Sequence, residues 1–166
     1  NTAVGYSGSQ SLEMDIDAST PASTRYSAIM PPVDLTTYKV PVSLHYKYAY
    51  ARRVSSASEI LLILASEDCG ENWRTIKAYN GDKLVTKSTP SAGWQPSQPG
   101  DWLSNSLDLS NYSESTNLFV RFDVISQSGN SVFLDDINIG EFALSAPAYE
   151  SDLELSLVPN PAHNKV

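Results

Sequence analysis

Two adjacent carboxylates, Asp135 and Asp136, are the residues of this 166-residue chain whose placement most invites chemistry. Over residues 132–139, period-2 alternation sets Asp135 on one face with Phe133, Ile137 and Ile139. A carboxylate among large apolar side chains must be paired, hydrogen-bonded or bound to metal. Structural Ca²⁺ is the natural hard cation for carboxylates and backbone carbonyls. Its candidate ligands are Asp135 and Asp136 with Glu13, Asp15 and Asp17, because first and last strands of a sandwich often adjoin. The other reading is a pair of hydrogen-bonded strand-end aspartates. A glycosidase pair is not expected from these two, since neighbouring residues on a strand point to opposite faces.

The remaining reactive side chains are few. His45 and His163 belong to no metal-ligand spacing and no HExxH, so neither zinc nor a histidine triad is expected. Cys69 sits in Glu67-Asp68-Cys69-Gly70, beside acids rather than the base or positive field that a catalytic thiolate needs. It reads as a turn or buried residue. Three tryptophans, Trp73, Trp94 and Trp102, are the ligand-binding candidates, since a ring exposed on a loop offers a stacking surface. Against that, Trp73 after a turn reads as core or turn plug, and Trp102 leads into a strand over residues 102–109. Trp94 is the best placed for exposure.

The elements that must hold these residues are strands. Leu12, Met14 and Ile16 alternate with Glu13 and Asp15. Val42, Leu44, Tyr46, Tyr48 and Tyr50 share a face opposite Ser43, His45, Lys47 and Ala49. Leu118, Val120, Phe122 and Val124 repeat the pattern, and the unbroken apolar run 60–64 suits a strand covered on both faces. Turn signals separate these runs: Pro31-Pro32, Asn80-Gly81, Pro99-Gly100 and Gly129-Asn130. Residues 66–73 read as a hairpin loop in which Gly70 supplies a positive φ, and 86–100 as a long surface loop. Many short strands between such signals predict an all-β, antiparallel, jelly-roll-like sandwich of two sheets. It spans residues 1–140. Residues 141–166 form a linker and tail, with an edge strand expected over 153–158.

Composition narrows the partners. A net charge of −8 gives no positive field for phosphates, so nucleic acid is not an expected partner. No apolar run approaches the ~20 residues of a membrane helix, so no membrane insertion is expected. One cysteine makes no intrachain disulfide. Opening on Asn1, the chain reads as a fragment or a processed product.

Several segments, in order, carry a resemblance. Tyr6-Ser7-Gly8-Ser9-Gln10-Ser11-Leu12, Met30-Pro31-Pro32-Val33-Asp34-Leu35 and residues 42–50 resemble the opening of jelly-roll modules of the MAM-like and cleaved-adhesin kind. Residues 66–73 are similar to their S-x-D-C-G-x-x-W loop, and Trp102 to Ser110, 117–123 and 133–137 to their last strands. The combination resembles the module that follows the catalytic domain of secreted cytophagalysin-type, pappalysin-like metallopeptidases. The tail Leu157-Val158-Pro159-Asn160-Pro161-Ala162 is similar to the start of a type IX secretion sorting domain. The resemblance implies export to the cell surface or medium and an N-terminal strand and acid-rich loop ahead of Asn1. It implies no peptidase activity here, because the zinc motif is absent. The leading expectation is a non-catalytic accessory or interaction module of a larger secreted or cell-surface protein. Its partners would be the catalytic domain or neighbouring modules, an extracellular protein or a glycan. The alternatives are a carbohydrate-binding module, which needs exposed aromatics, and a stand-alone hydrolase, which needs a deep pocket.

Overall fold

Eight stretches of alternating or apolar sequence become strands in the computed structural model, which describes residues 4–141. They are β1 (Leu12–Met14), β2 (Arg25–Ile29), β3 (Val42–Ala49), β4 (Ile60–Ser66), β5 (Arg74–Asn80), β6 (Leu103–Asp108), β7 (Phe119–Ile125) and β8 (Val132–Glu141). One sheet has the order β1-β8-β3-β6 and the other β2-β7-β4-β5, every pairing antiparallel. Two four-stranded sheets threaded in this order make a jelly roll. First and last strands pair as expected, Leu12 opposite Leu134. The strand β2 was not legible: only Tyr26 and Ala28 of its five residues turn toward the core. The expected edge strand over 153–158, the P-N-P tail and His163 lie outside the described residues.

The core fills the space between the sheets. Leu44, Tyr46 and Tyr48 of β3 meet Val120, Phe122 and Val124 of β7 and Leu61 and Ile63 of β4. Tyr46 packs edge-on against Phe122 at 5.7 Å. Burying phenols demands hydroxyl partners, since an orphaned buried group costs about 1–3 kcal/mol. Each has one. Tyr46 shares a 2.6 Å hydrogen bond with Tyr79 of β5, whose hydroxyl donates to Asn105 of β6 at 3.0 Å. Tyr48 donates to the carbonyl of Lys83. Tyr50, just past β3, donates to Glu59, a fully buried carboxylate. Glu59 also accepts from the backbone of Gln127 and Gly129, tying the β3–β4 connection to the β7–β8 turn.

One expectation needs correction. An unbroken apolar run such as 60–64 suits a strand covered on both faces. Leu61 and Ile63 do face the core, but Ile60 and Leu62 stand half-buried on the sandwich's outer surface. Among the described residues no third layer covers them, while Leu64 of the same strand is 5% exposed. The same surface carries Asp123, wholly buried between Arg25 at 2.7 Å and Arg121 at 3.0 Å, with Ser27 donating at 2.6 Å. A buried charge needs such neighbours.

Two predictions follow from this packing. A β-carbon on Gly129 would fall 2.2 Å from Oε2 of Glu59. Gly129→Ala should therefore lower the unfolding free energy by about 2 kcal/mol or more in urea titration; an unchanged midpoint would mean that Glu59 is not held there. Burial also pushes the Tyr48 hydroxyl up from 10 to about 12, and raises those of Tyr46 and Tyr50. The folded state then holds protons that the unfolded chain releases. This stabilisation is full below pH 10 and is lost as pH rises toward 12. The urea midpoint should hold steady below pH 10 and fall through that window.

Candidate functional site

The Asp135–Asp136 pair sits on a β-bulge. Opposite β8, the register runs Lys47 to Asp135 and then His45 to Asn138, so two residues of β8 face Tyr46 alone. Asp136 adopts φ +49°, a left-handed conformation that Asp tolerates better than most residues. The extra residue inverts the alternation. Phe133 and Asp135 point outward, whereas Ile137 and Ile139 turn into the core. Asp135 thus does not share its face with those isoleucines, and the simple period-2 reading fails at the bulge.

Both carboxylates are engaged by the chain itself. Asp135 accepts from the amides of Tyr6 at 2.5 Å, Ser7 at 3.4 Å and Asp136 at 2.7 Å. Asp136 pairs with the Lys47 ammonium at 2.7 Å and accepts from the Ser7 hydroxyl. The Lys47 ammonium and that hydroxyl hold the Asp136 carboxyl below the usual carboxylate range. The remaining calcium candidates lie apart: Glu13 pairs in register with Phe133, Asp15 is exposed past β1, and Asp17 closes a turn with Ser19 and Thr20. Among the described residues no three acidic, histidine or cysteine side chains gather where they could share a metal ion. At the place expected for Ca²⁺, a lysine and backbone amides face the acids. The pair fastens the N-terminal segment to the sheet.

The tryptophans separate into two groups. Trp102 is buried against Ala49 and Phe133, with Trp94 half-buried over the same Phe133 at 6.4 Å. Tyr6 closes this cluster edge-on to Trp102 at 6.4 Å. Trp94, expected to be the exposed ring, instead roofs the outer face of its sheet. Trp73 lies elsewhere, half-buried, with the Arg121 guanidinium 4.2 Å from its ring centre. Its indole also abuts Gly70, whose φ of +86° bears out the turn expected there.

The 66–73 loop is built to hold Trp73. Asp68 accepts from Ser66 at 2.6 Å and from both nitrogens of Asn72, at 2.9 and 2.7 Å. The Ser66 hydroxyl and Asn72 hold the Asp68 carboxyl down at about 2. Cys69, at φ +60°, is exposed in this turn, its sulfur accepting from Asn117. Against the loop lies a cleft of about 370 Å³ lined by Glu67, Asp68, Asn72, Trp73, Arg74 and Tyr112. The Glu67 carboxylate, Arg74 guanidinium and Tyr112 hydroxyl make no hydrogen bond or ion pair to other described residues. Tyr112 was missed in the sequence because it stands in a single helical turn, Ser110–Tyr112, with no periodicity around it.

No family model matches the sequence, and no curated protein matches it. Solved structures do. The chain is similar to CBM27-1 of Caldicellulosiruptor saccharolyticus in complex with mannohexaose, with TM-score 0.52, 10% identity, and coverage of 81% of this chain and 75% of that one. It also matches TmCBM61 in complex with β-1,4-galactotriose, at TM-score 0.48, 14% identity, and 81% and 72% coverage. The non-crystalline cellulose-specific module CBM28 matches at TM-score 0.48, 15% identity, and 79% and 74% coverage. At such identities the likeness defines the fold, and CBM27-1 shares the jelly-roll sandwich. Among the described residues, no helix is long and apolar enough to cross a membrane.

The loop's dependence on Asp68 can be measured. Asp68→Ala should speed amide exchange at Gly70 and Asn72 about tenfold or more, the cost of a lost charge-assisted hydrogen bond. Unchanged exchange at both amides would show that the loop is held by other means.

Proposed function

We propose that this domain is a non-catalytic glycan-binding module whose site is the cleft between Trp73 and Tyr112. The observation that carries the reading is the cleft itself. It combines two partly exposed aromatic rings with a free carboxylate, Glu67, and a free guanidinium, Arg74. A pyranose offers apolar C–H groups on its faces and hydroxyls around its rim. Rings stack on the former. A carboxylate accepts from the hydroxyls and a guanidinium donates to their oxygens. The sandwich shared with CBM27-1, solved with mannohexaose, supports the same reading.

The titrating groups support binding rather than hydrolysis. A glycosidase acid must be held protonated near neutrality. Among the described residues, hydrogen bonds and lysine partners hold carboxyls the other way: Asp68 in the cleft, and Asp17, Asp101, Asp108 and Asp136 elsewhere, all lie below the usual carboxylate range. The groups that are raised are tyrosines of the core. The tyrosine stripe Tyr46, Tyr48 and Tyr50 is not the platform, because all three rings are buried. The sequence resemblance supports a wider, exported bacterial protein in which the module stands beside a peptidase or adhesin domain, ahead of a sorting tail. There it would hold its neighbour against a glycan surface.

Affinity electrophoresis against soluble β-1,4-mannan, β-1,4-galactan and β-1,4-glucan tests the proposal. The domain should be retarded by at least one of them. Trp73→Ala should weaken that binding about tenfold or more, as loss of a central aromatic does, with the circular dichroism spectrum unchanged. Migration unaffected by all three polymers would sink the glycan reading.

A further inference from the structure

A second aromatic ring is held at the surface with unusual thoroughness. Tyr6 is 40% exposed, yet the fold fixes it from several sides. Its backbone amide and that of Ser7 are caught by Asp135. The Lys47 ammonium lies 4.1 Å from its ring centre on one face. Trp102 meets it edge-on at 6.4 Å. Gly5 allows the segment to double back, since a β-carbon there would fall 2.4 Å from the Gln10 carbonyl. Strands and loops ordinarily leave an exposed tyrosine free to rotate; here two aspartates, a lysine and a tryptophan orient one.

Tyr6 forms one wall of a cleft of about 470 Å³, whose opposite wall is Gln95, Pro96, Gln98 and Pro99. That wall is fixed independently. Asp101, almost fully buried, accepts from the Ser97 amide at 2.9 Å and pairs with Lys87 at 3.3 Å. Prolines restrict the backbone on either side of Gln98. The Gln95 amide is exposed and bonds to no other described residue. A rigid ring on one side and a free amide on the other, each set before any ligand arrives, keep the entropy cost of binding low.

We infer that this cleft is a second saccharide subsite, with Tyr6 as its stacking platform and Gln95 as its hydrogen-bonding wall. The inference rests on the glycan-binding reading for the class of ligand, and the site is separate from the Trp73–Tyr112 cleft, with which it shares no lining residue. The ligand it fits is an uncharged pyranose. The ring takes the apolar face of the sugar, and an amide, both donor and acceptor, meets a hydroxyl of either polarity. An acidic sugar would meet the field of a chain with net charge −8.

The full domain is titrated with the retarding polysaccharide of the panel above. Tyr6→Ala should weaken polysaccharide binding about tenfold, and Gln95→Ala, at an exposed side chain, about threefold. Tyr6→Trp should retain binding within about twofold, which a merely structural role for the tyrosine would not require. Asp135→Ala, which frees the Tyr6 and Ser7 amides, should reproduce most of the Tyr6→Ala loss. Wild-type affinity in both Tyr6→Ala and Gln95→Ala overturns the subsite, and does so while the Trp73 cleft stands if Trp73→Ala still loses binding. Loss in Tyr6→Ala with none in Trp73→Ala keeps this subsite and removes the other. No binding by the wild-type domain to any polymer removes both.

Discussion

The sandwich depends on where three phenol hydroxyls go. Placing Tyr46 and Tyr48 at every second residue of β3, and Tyr50 just past its end, sends three large rings into the core. The area they bury favours folding, but each brings a polar atom that must find a partner out of water. The three partners lie on different elements: Tyr79 of β5 with Asn105 of β6 behind it, the Lys83 carbonyl after β5, and Glu59 before β4. Satisfying them fixes the spacing of the two sheets and the path of the connections that leave β5 and enter β4. Glu59 extends the constraint to the β7–β8 turn, where only a glycine fits beside it. A stripe that could have been a sugar platform is instead the brace of the fold.

With the core closed this way, contacts to the outside fall to the sheets' outer faces and the loops. The two faces differ. The outer face of β2-β7-β4-β5 carries an ion cluster around the buried Asp123, Arg25–Asp123–Arg121, that leads to the Trp73 indole through the stacked guanidinium. The outer face of the other sheet carries Phe133 under Trp94 and Trp102, with Lys47 and the two aspartates beside them. In both places charge holds an aromatic ring at the surface. The ring does not have to be ordered when something binds it, so the cost is met on folding.

How much of this was legible depends on the residue. Period 2 located β1, β3, β7 and β8 and the inward tyrosines, since alternation maps onto a pleated strand without further information, and the unbroken apolar run located β4. The Gly70 turn was legible because a positive φ leaves a signature in residue type. At Asp135 and Asp136 the sequence misled. Alternation assumes one residue per pleat, and a bulge inserts a second, so every side chain after it was assigned to the wrong face. The partners of those aspartates, Tyr6, Ser7 and Lys47, lie 129, 128 and 89 residues away or nearly so, beyond any local pattern. Trp94 and Trp102 were indistinguishable as loop tryptophans because burial on an outer face depends on which loop folds back over it. Tyr112 and Glu59 left no signal at all, each being set by tertiary contacts alone.

The bulge also explains how the aspartate pair fastens the N-terminal segment to the sheet. A regular strand would point Asp135 and Asp136 to opposite faces, one outward and one into the core. The left-handed turn at Asp136 spares the core a carboxylate and leaves both acids reachable from outside. Lys47, directly opposite Asp135 in the register, then supplies the cation, and the amides of Tyr6 and Ser7 supply donors to the remaining lone pairs. A divalent ion at this point would have to displace an ammonium already 2.7 Å from Asp136 and strip the N-terminal segment of its anchor. The same geometry orients Tyr6: the segment is held by its backbone, so its side chain faces solvent with its ring already aligned.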